Sequence, residues 1–513
     1  MENDKPLAPS TKAQVRCKPI NRQQLLFRPV DVEKLIEPDH PARAIWELTG
    51  KADLTAFYAD LEAVEGKAGR PPWDPQLLAS LWIDAYKEGI SSAREITELC
   101  TYHPAYQWLT GLGVVNYHPL ADFRTEHQEA LDELFIEVLG VLSHEGLITL
   151  ERVTQDGTKV KACASDKSFH RKATLEDHLR LAREQVKQME DPESEEVSQR
   201  VAKARQRAVR EKQERLEEAL KVLEQMEAAR TKASAKEEEK KGKGKQKQAR
   251  VSSTDPEARI MLQGKGGYGP NYNTQISTDA KAKVIVAVGV SQSANDDGEL
   301  LPAVERIEAN LGEKPRQIVA DAAYPTQENI EAMAKEGVDL IGPKPERKEA
   351  GQNLLKRRGV SPEFYPQAFS YESSTDQYTC PGGKILVFET EERQGGWVRR
   401  RYRARRSDCR ACPFQGQCCP ETQRGRSLVR LQPTPEQAAF QAKMETAEAQ
   451  QIYKQRAEVA EFPHAWIKDK LGLRQFRLRG LAKVTMEALW ACLTYNVCLW
   501  IRLCWKPRRL VQA

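Results

Sequence analysis

The chain has 513 residues, 79 Lys and Arg against 74 Asp and Glu, and a formal net charge of +5. That balance excludes a histone-like polycation, and 40 % hydrophobic residues allow a sizeable core beside a large solvated fraction. Eleven cysteines behind a polar start, MENDKPLAPSTKAQ, fit a reducing cytoplasm, where clustered thiols bind metal more often than they pair as disulfides.

Residues 1–29 read as a frayed polar segment and residues 30–145 as an all-helical domain. Asp39-His40-Pro41 marks a helix start. Pro75–Tyr86, Ser91–Cys100 and His103–Leu112 are three short helical patterns, with Ser92 and Glu95 spaced as a capping box. Short helices with tight turns suit a helix-turn-helix DNA reader, although pattern alone favours a plain bundle. His118–His144 reads as one longer amphipathic helix.

Ile148–Ala162, ITLERVTQDGTKVKA, is a strand pattern in which Asp156-Gly157 ends the strand or turns it into a hairpin. Residues 165–231 are rich in Ala, Glu, Lys, Arg and Leu and are divided at Asp191-Pro192. They predict an inserted helical hairpin of coiled-coil type, with Leu216, Leu220, Leu223 and Met226 in one stripe. Residues 232–254 follow as a charged, disordered linker. Tyr272–Ser277 and Val284–Val290 form a hairpin, Leu300–Leu311 a helix, Gln317–Tyr324 a strand ending at Asp321, Gln327–Lys335 a helix, and Asp339–Ile341 a strand. This order is that of an RNase H-like core, a mixed sheet flanked by helices, split over residues 146–164 and 255–345. The fold class is therefore mixed α+β, with a helical domain before the core and two insertions within it.

Asp156 and Asp321 at the ends of neighbouring strands would offer hard oxygen ligands to Mg²⁺. Either alone would be an ordinary turn residue, and the pair gains weight from a third carboxylate. Glu461 is the candidate, on a helical pattern broken by Pro463, with Glu458 as its rival one turn earlier. That pattern belongs to a C-terminal helical part of the core, residues 451–513. Between the core segments, residues 346–450 form a Cys- and Arg-rich insertion. Cys409-x2-Cys412-x5-Cys418 with Cys380 upstream could hold one structural Zn²⁺, or stand as four reduced thiols. Arg399, Arg400, Arg401, Arg403, Arg405 and Arg406 crowd around Tyr402 and suggest a phosphate-contacting surface, to which Arg474 and Arg477 add a second strip. Met486–Trp505 is apolar but carries Glu487, Asn496 and Arg502, so it reads as a buried helix and no membrane is expected.

Taken together, DHPARAIWELTGKADLTAFY, GRPPWDPQLLASLWIDAYKEGISSAREI, QDGTKVKA, NYNTQISTD, VADAAY, CRACPFQGQC and RAEVAEFPHAWIKDKLGLRQFRLRGLAKV resemble a bacterial insertion-sequence transposase of the DDE type, over nearly the whole length. The resemblance implies a catalytic triad of Asp156, Asp321 and Glu461 holding two Mg²⁺ or Mn²⁺ ions, and accessory roles for Tyr453, Arg456 and Lys468. It implies double-stranded DNA as partner, both terminal repeats and target, with self-association on the DNA in a nucleoid-associated, cytoplasmic setting. The competing readings are an RNase H-fold nuclease without strand transfer, a non-catalytic DNA-binding descendant, and a coiled-coil scaffold.

Overall fold

The computed structural model describes residues 29–59, 71–190, 199–238, 248–264, 266–344, 355–394, 397–420 and 424–506. The frayed segment expected over 1–29, the helical break at Asp191-Pro192 and the middle of the charged linker lie outside them, apart from Pro29.

Among the described residues seven α-helices precede the sheet: α1 Pro41–Thr49, α2 Thr55–Tyr58, α3 Pro75–Lys87, α4 Ala93–Tyr102, α5 Pro104–Thr110, α6 Tyr117–Glu126 and α7 Gln128–His144. His40 caps α1, its Nδ1 accepting from the Ala42 N–H at 3.1 Å, and Pro41 takes the first helical position as expected. Ser92 caps α4 through the Glu95 N–H. The single helix expected over 118–144 is two, broken at His127, whose backbone (φ −111°, ψ 61°) is not helical. The break lets Phe123 and His127 both pack on Phe57. Helix α3 is apolar on every side because it is covered on every side, with Leu77 through Tyr86 all buried.

Strand β1, Val153–Lys161, begins the core. Leu150, expected inside this strand, precedes it at φ +52°, its N–H held by Asp279 Oδ2 at 2.9 Å. A two-stranded ladder, β2 Phe169–His170 with β3 Val251–Ser252, brackets the inserted hairpin α8 Lys172–Glu190 and α9 Gln199–Glu238. Leu175, Leu179 and Ala182 pack on Leu216, Ala219 and Leu223 between the two helices, with Leu220 and Met226 at the margin. Helix α9 runs into the stretch expected as linker, whose Ala, Lys and Glu are good helix formers.

The main sheet adds β4 Arg259–Leu262, β5 Tyr268–Asp279, β6 Ile285–Ser291, β7 Gln317–Ala320 and β8 Asp339–Ile341, with helices α10 Leu300–Leu311 and α11 Gln327–Glu336 in the two crossovers. Its order is β6-β5-β1-β7-β8, with β4 also on β5. The β5 pairings with β1 and β6 are antiparallel, whereas β1–β7 and β7–β8 are parallel. This mixed sheet with its helices is the RNase H-like arrangement.

The Cys/Arg insertion forms its own antiparallel sheet, β9 Ser370–Glu372, β10 Gln377–Thr379, β11 Ile385–Gln394, β12 Trp397–Ala404 and β13 Ser427–Gln432, around Phe364, Phe369, Leu386, Tyr402 and Leu428. It ends earlier than the expected 450: α12 Pro435–Lys443 already belongs to the core, where Phe440 and Met444 pack with Ile330 and Leu340. Helix α13 Ala447–Asp469 continues through Pro463 rather than breaking there. Pro463 is buried, and that burial offsets the roughly 3 kcal/mol cost of an internal proline. Helix α14 Leu481–Leu503 is long and apolar enough to cross a membrane, but 83 % of its apolar window is buried in the protein. Asn496 bonds both the N–H and the C=O of Ile285 on β6, at 3.0 and 2.8 Å, and Glu487 accepts the N–H groups of Arg477 and Leu478. Glu487 and Asn496, costly in a bilayer, are thus satisfied here as core polar groups, and Arg502 is exposed. The residues of α1, α3, α7 and α14 and of β1, β5 and β6 share one continuous apolar cluster, so the N-terminal helices pack on the core instead of standing apart.

Candidate active site

Strand register brings the two aspartates together. Val153, Thr154 and Gln155 of β1 lie level with Ile318, Val319 and Ala320 of β7. Continuing that register by one residue sets Asp156 beside Asp321. Asp156 is not at a strand end, as the sequence suggested, because β5 pairs with β1 along its whole length. Gly157 is likewise no turn. A side chain there would meet Gln275 Nε2 at 2.5 Å, Asp296 Oδ1 at 2.6 Å and the Tyr324 hydroxyl at 3.0 Å, so glycine is needed for close packing.

Strand alternation divides the neighbours of β1 into two sets. On one face, Gln155 donates to Gln275 at 2.7 Å, and Asp296 accepts from Lys159, Asn273 and Gln275 at 3.1, 2.6 and 2.7 Å. On the other face, Asp156 and Thr158 meet α13. Arg456 Nη1 stands 3.6 Å and His464 Nε2 3.7 Å from Asp156 Oδ2, and Lys468 donates to the Thr158 hydroxyl.

Burial chiefly pushes the Asp156 carboxyl up to about 6; Arg456 opposes this and Asp321 adds to it. The Asp156 Oδ1 also accepts the Gly157 N–H at 3.0 Å, and Asp321 Oδ1 accepts that of Ala323 at 2.9 Å. His464 is held down at about 4 by burial, with Lys468 and Arg456 contributing. Its imidazole is therefore neutral at pH 7, and its contact with Asp156 is not an ion pair. Burial also lowers Lys468.

Of the six residues given catalytic or accessory roles, Asp156, Asp321, Arg456 and Lys468 lie in this neighbourhood. Tyr453 is half-buried nearby, against the cluster of β7, β8 and α11. Glu461 is exposed on α13, and no contact joins it to either aspartate. Glu458, the rival, is turned away to Lys283 at 3.0 Å, with 77 % of its side chain exposed.

Two half-buried, mutually repelling oxygen donors suit a hard divalent cation, and the guanidinium of Arg456 stands in for part of that charge. Among the described residues no three His, Cys, Asp or Glu side chains are already set as metal ligands, at this site or elsewhere.

The four cysteines of the insertion do gather. The Cys418 thiol is raised by burial and by Cys409, Cys380 and Cys412 around it. Gly382 lies between Cys412 and Cys380, where a Cβ would be 3.6 and 3.7 Å from the two sulfurs. The N–H groups of Lys384 and Arg426 donate to the sulfurs of Cys380 and Cys409 at 3.2 and 3.3 Å. Cys419, also a free thiol, is hydrogen-bonded with Cys409 as an additional neighbour.

The arginines of β12, whose density in the sequence reads as a phosphate-contacting surface, are paired within their own sheet. Arg400 pairs with Asp376 at 3.1 Å and Glu391 at 3.2 Å, Arg403 with Glu389 at 2.7 Å, and Arg401 lies 3.9 Å from Glu392. Arg399 is also engaged. The sheet's own carboxylates meet this charge, leaving Arg405, Arg406 and Arg477 as exposed members of the set, while Arg474 pairs with Asp469.

Sequence reasoning missed His464, Thr158 and the polar bed of Gln155, Gln275, Asp296 and Tyr324. The bed had a signal: Asn271, Asn273, Gln275 and Ser277 alternate along β5, a strand with one polar face, and all four are buried.

With this geometry in hand, two families match the chain. The one described as "Transposase DDE domain" covers residues 379–499, from β10 into α14. The one described as "Transposase domain (DUF772)" covers residues 30–126, the N-terminal helices. Residues 379–499 are thus similar to a transposase DDE domain, and residues 30–126 to a transposase N-terminal domain. That DDE match includes Arg456, Glu461, His464 and Lys468, while Asp156 and Asp321 lie upstream of it. No curated protein matches the chain. Among solved structures, the cryo-EM structure of a piggyBac transposase synaptic complex with hairpin DNA is similar at 10 % identity and a TM-score of 0.24, covering 92 % of this chain and 83 % of that one. A likeness of that size places no residue of the site.

Proposed function

We propose that this protein is the transposase of a bacterial insertion sequence, cutting the element's ends and joining them to target DNA in the cytoplasm. The observation that carries the reading is the parallel register of Val153, Thr154 and Gln155 with Ile318, Val319 and Ala320, whose continuation sets Asp156 beside Asp321, together with the electrostatic push of Asp321 on the Asp156 carboxyl. Those two carboxylates would hold divalent cations. When bound, such ions activate the attacking oxygen and stabilise the leaving one in phosphodiester hydrolysis and transesterification. Arg456 and Lys468, cationic and held against β1, offset the charge of an approaching phosphate. Glu461 enters as third carboxylate by resemblance alone. The gathered cysteines support a structural Zn²⁺ that ties β10 to the segment after β12. Two copies of the chain acting on the two element ends fit the same reading.

The test is a cleavage and strand-transfer assay on labelled element ends with Mg²⁺ or Mn²⁺. Wild-type protein should nick the ends and join them to a second duplex. Asp156→Asn and Asp321→Asn should bind the ends and do neither. Cutting without joining would favour the nuclease reading, and binding without cutting the non-catalytic one.

A further inference from the structure

Among the described residues, the large apolar side chains that the main sheet leaves in solvent all sit on the β4–β5 hairpin. Ile260, Leu262 and Tyr268 are 42, 58 and 71 % exposed. Strand register puts all three on the face that carries Asp156. Residues paired across antiparallel strands share a face, and faces alternate along each strand. Asp156 pairs with Ile276 of β5, and Tyr268 lies eight residues from Ile276 on the same strand, so on the same face. Leu262 pairs with Tyr268, and Ile260 with Pro270. The hairpin is closed by the Gln263 N–H donating to the Gly267 C=O at 2.9 Å, and Gly266 and Gly267 turn it at φ +86° and +80°. The Tyr268 ring therefore stands on a hydrogen-bonded platform, with nothing of this chain covering it.

Size and charge decide what the patch meets. Three partly exposed side chains fall well short of the roughly 800 Å² per partner of a stable protein interface. They match an apolar wedge that enters a base step from a DNA groove. Cations stand at the root of the hairpin. Lys161 of β1 is level with Asn271, and Asn271 with Arg259 of β4. Lys161, Arg477 and Arg479 are exposed. The Phe476 N–H donates to the Lys161 C=O at 2.8 Å, which ties the arginine segment to β1. The N–H groups of Gly480 and Leu481 donate to Asp255 and Glu257, just ahead of β4, at 3.2 and 2.7 Å. Cations that take phosphates beside a ring that takes a base are the pairing DNA binding uses.

We infer that Tyr268, backed by Leu262 and Ile260, wedges against a base step of the bound element end, with Lys161, Arg477 and Arg479 on the flanking phosphates. This rests on the proposed function, which lays DNA over Asp156. The eight residues of β5 between Tyr268 and the level of Asp156 span about 27 Å. A duplex that follows β1 rises about 3.4 Å per base pair, so the wedge falls about eight base pairs from the cut. Tyr268 is a positioning residue: it fixes where the duplex lies and touches no reacting atom.

The experiment adds the full chain to duplexes of the element's end that carry 2-aminopurine at one base pair at a time, stepped away from the cleaved phosphate. Wild-type protein should change the fluorescence in a window centred about eight base pairs from the cut. Tyr268→Ala should lose that change and bind the ends roughly tenfold more weakly. Tyr268→Trp, which keeps an aromatic face, should retain both. With 71 % of Tyr268 exposed, neither variant removes core packing. Wild-type protein that binds and cuts the ends with no change in that window overturns the inference and leaves the aspartate site standing. So does Tyr268→Ala with wild-type signal and affinity. Loss of self-association in Tyr268→Ala, with the DNA signal intact, would make the patch a contact between copies and overturn it as well. Wild-type protein that neither binds nor cuts the ends would remove the proposed function, and this inference with it.

Discussion

Charge is concentrated in two places in this molecule, and the fold treats them in opposite ways. On β12 the arginines are met by carboxylates of the same sheet, Glu389, Glu391, Glu392 and Asp376, and Arg400 also stacks 4.7 Å from the Phe388 ring. Beside the end of β7 two aspartates are brought together with Arg456 and a neutral His464 close to one of them, and Asp156 is left with its carboxyl pushed up to about 6. A dense run of one charge along a strand can be a paired ladder, whereas two isolated acids from distant segments can make the uncompensated site. Uncompensated buried charge is the better pointer to a missing ligand.

The comparison can be broken at either end. The largest effect is expected at the aspartates: Asp156→Asn or Asp321→Asn should lower metal-dependent cleavage by on the order of 10³-fold or more, with gel-shift affinity for element ends unchanged within about threefold. If either variant cut at the wild-type rate, the pair would be an ordinary polar contact. Next comes the cysteine cluster. Metal analysis of purified protein should find about one zinc per chain, and Cys412→Ser should remove it and expose residues 355–430 to protease. Protein free of zinc, with the same resistance to protease, would make the cysteines plain core thiols.

The arginines sharpen the comparison more gently. Arg405→Ala with Arg406→Ala should weaken DNA binding and reduce the slope of log K against log salt by about 2, at about 0.9 per phosphate contact. Arg400→Ala with Arg403→Ala should leave that slope alone and instead destabilise the sheet by roughly 1–2 kcal/mol in a denaturant melt. Equal slopes lost from both pairs would mean that the internal pairing does not hold in solution. The smallest effect belongs to Glu458→Gln, whose exposed partner is Lys283: stability should move by less than about 0.5 kcal/mol and cleavage not at all. A cleavage-dead Glu458 variant would return the third role to that residue.

Much of the core was legible because local pattern and tertiary role agree there. Leu300–Leu311 and Asp339–Ile341 appear with the bounds read from sequence, and Asp321 ends the short apolar run of Ile318, Val319 and Ala320. What was not legible depends on contacts across the chain. Gly157 looks like a turn residue until Asp296 and Tyr324 are packed against it. Pro463 looks like a helix breaker until its burial is seen. His464 lies 308 residues from Asp156, and no spacing rule links them. The pairing of Glu389, Glu391 and Glu392 with the β12 arginines follows from hairpin register, which the composition of VRRRYRARR does not carry.

The central claim is that Asp156 and Asp321 form a divalent-metal site. Crystals soaked in Mn²⁺ and measured at its absorption edge test this most directly. An anomalous peak is expected between the two carboxylates, lost in Asp156→Asn with Asp321→Asn. Density for well-ordered, metal-free carboxylates at millimolar Mn²⁺, or a peak unchanged in the double variant, would contradict it.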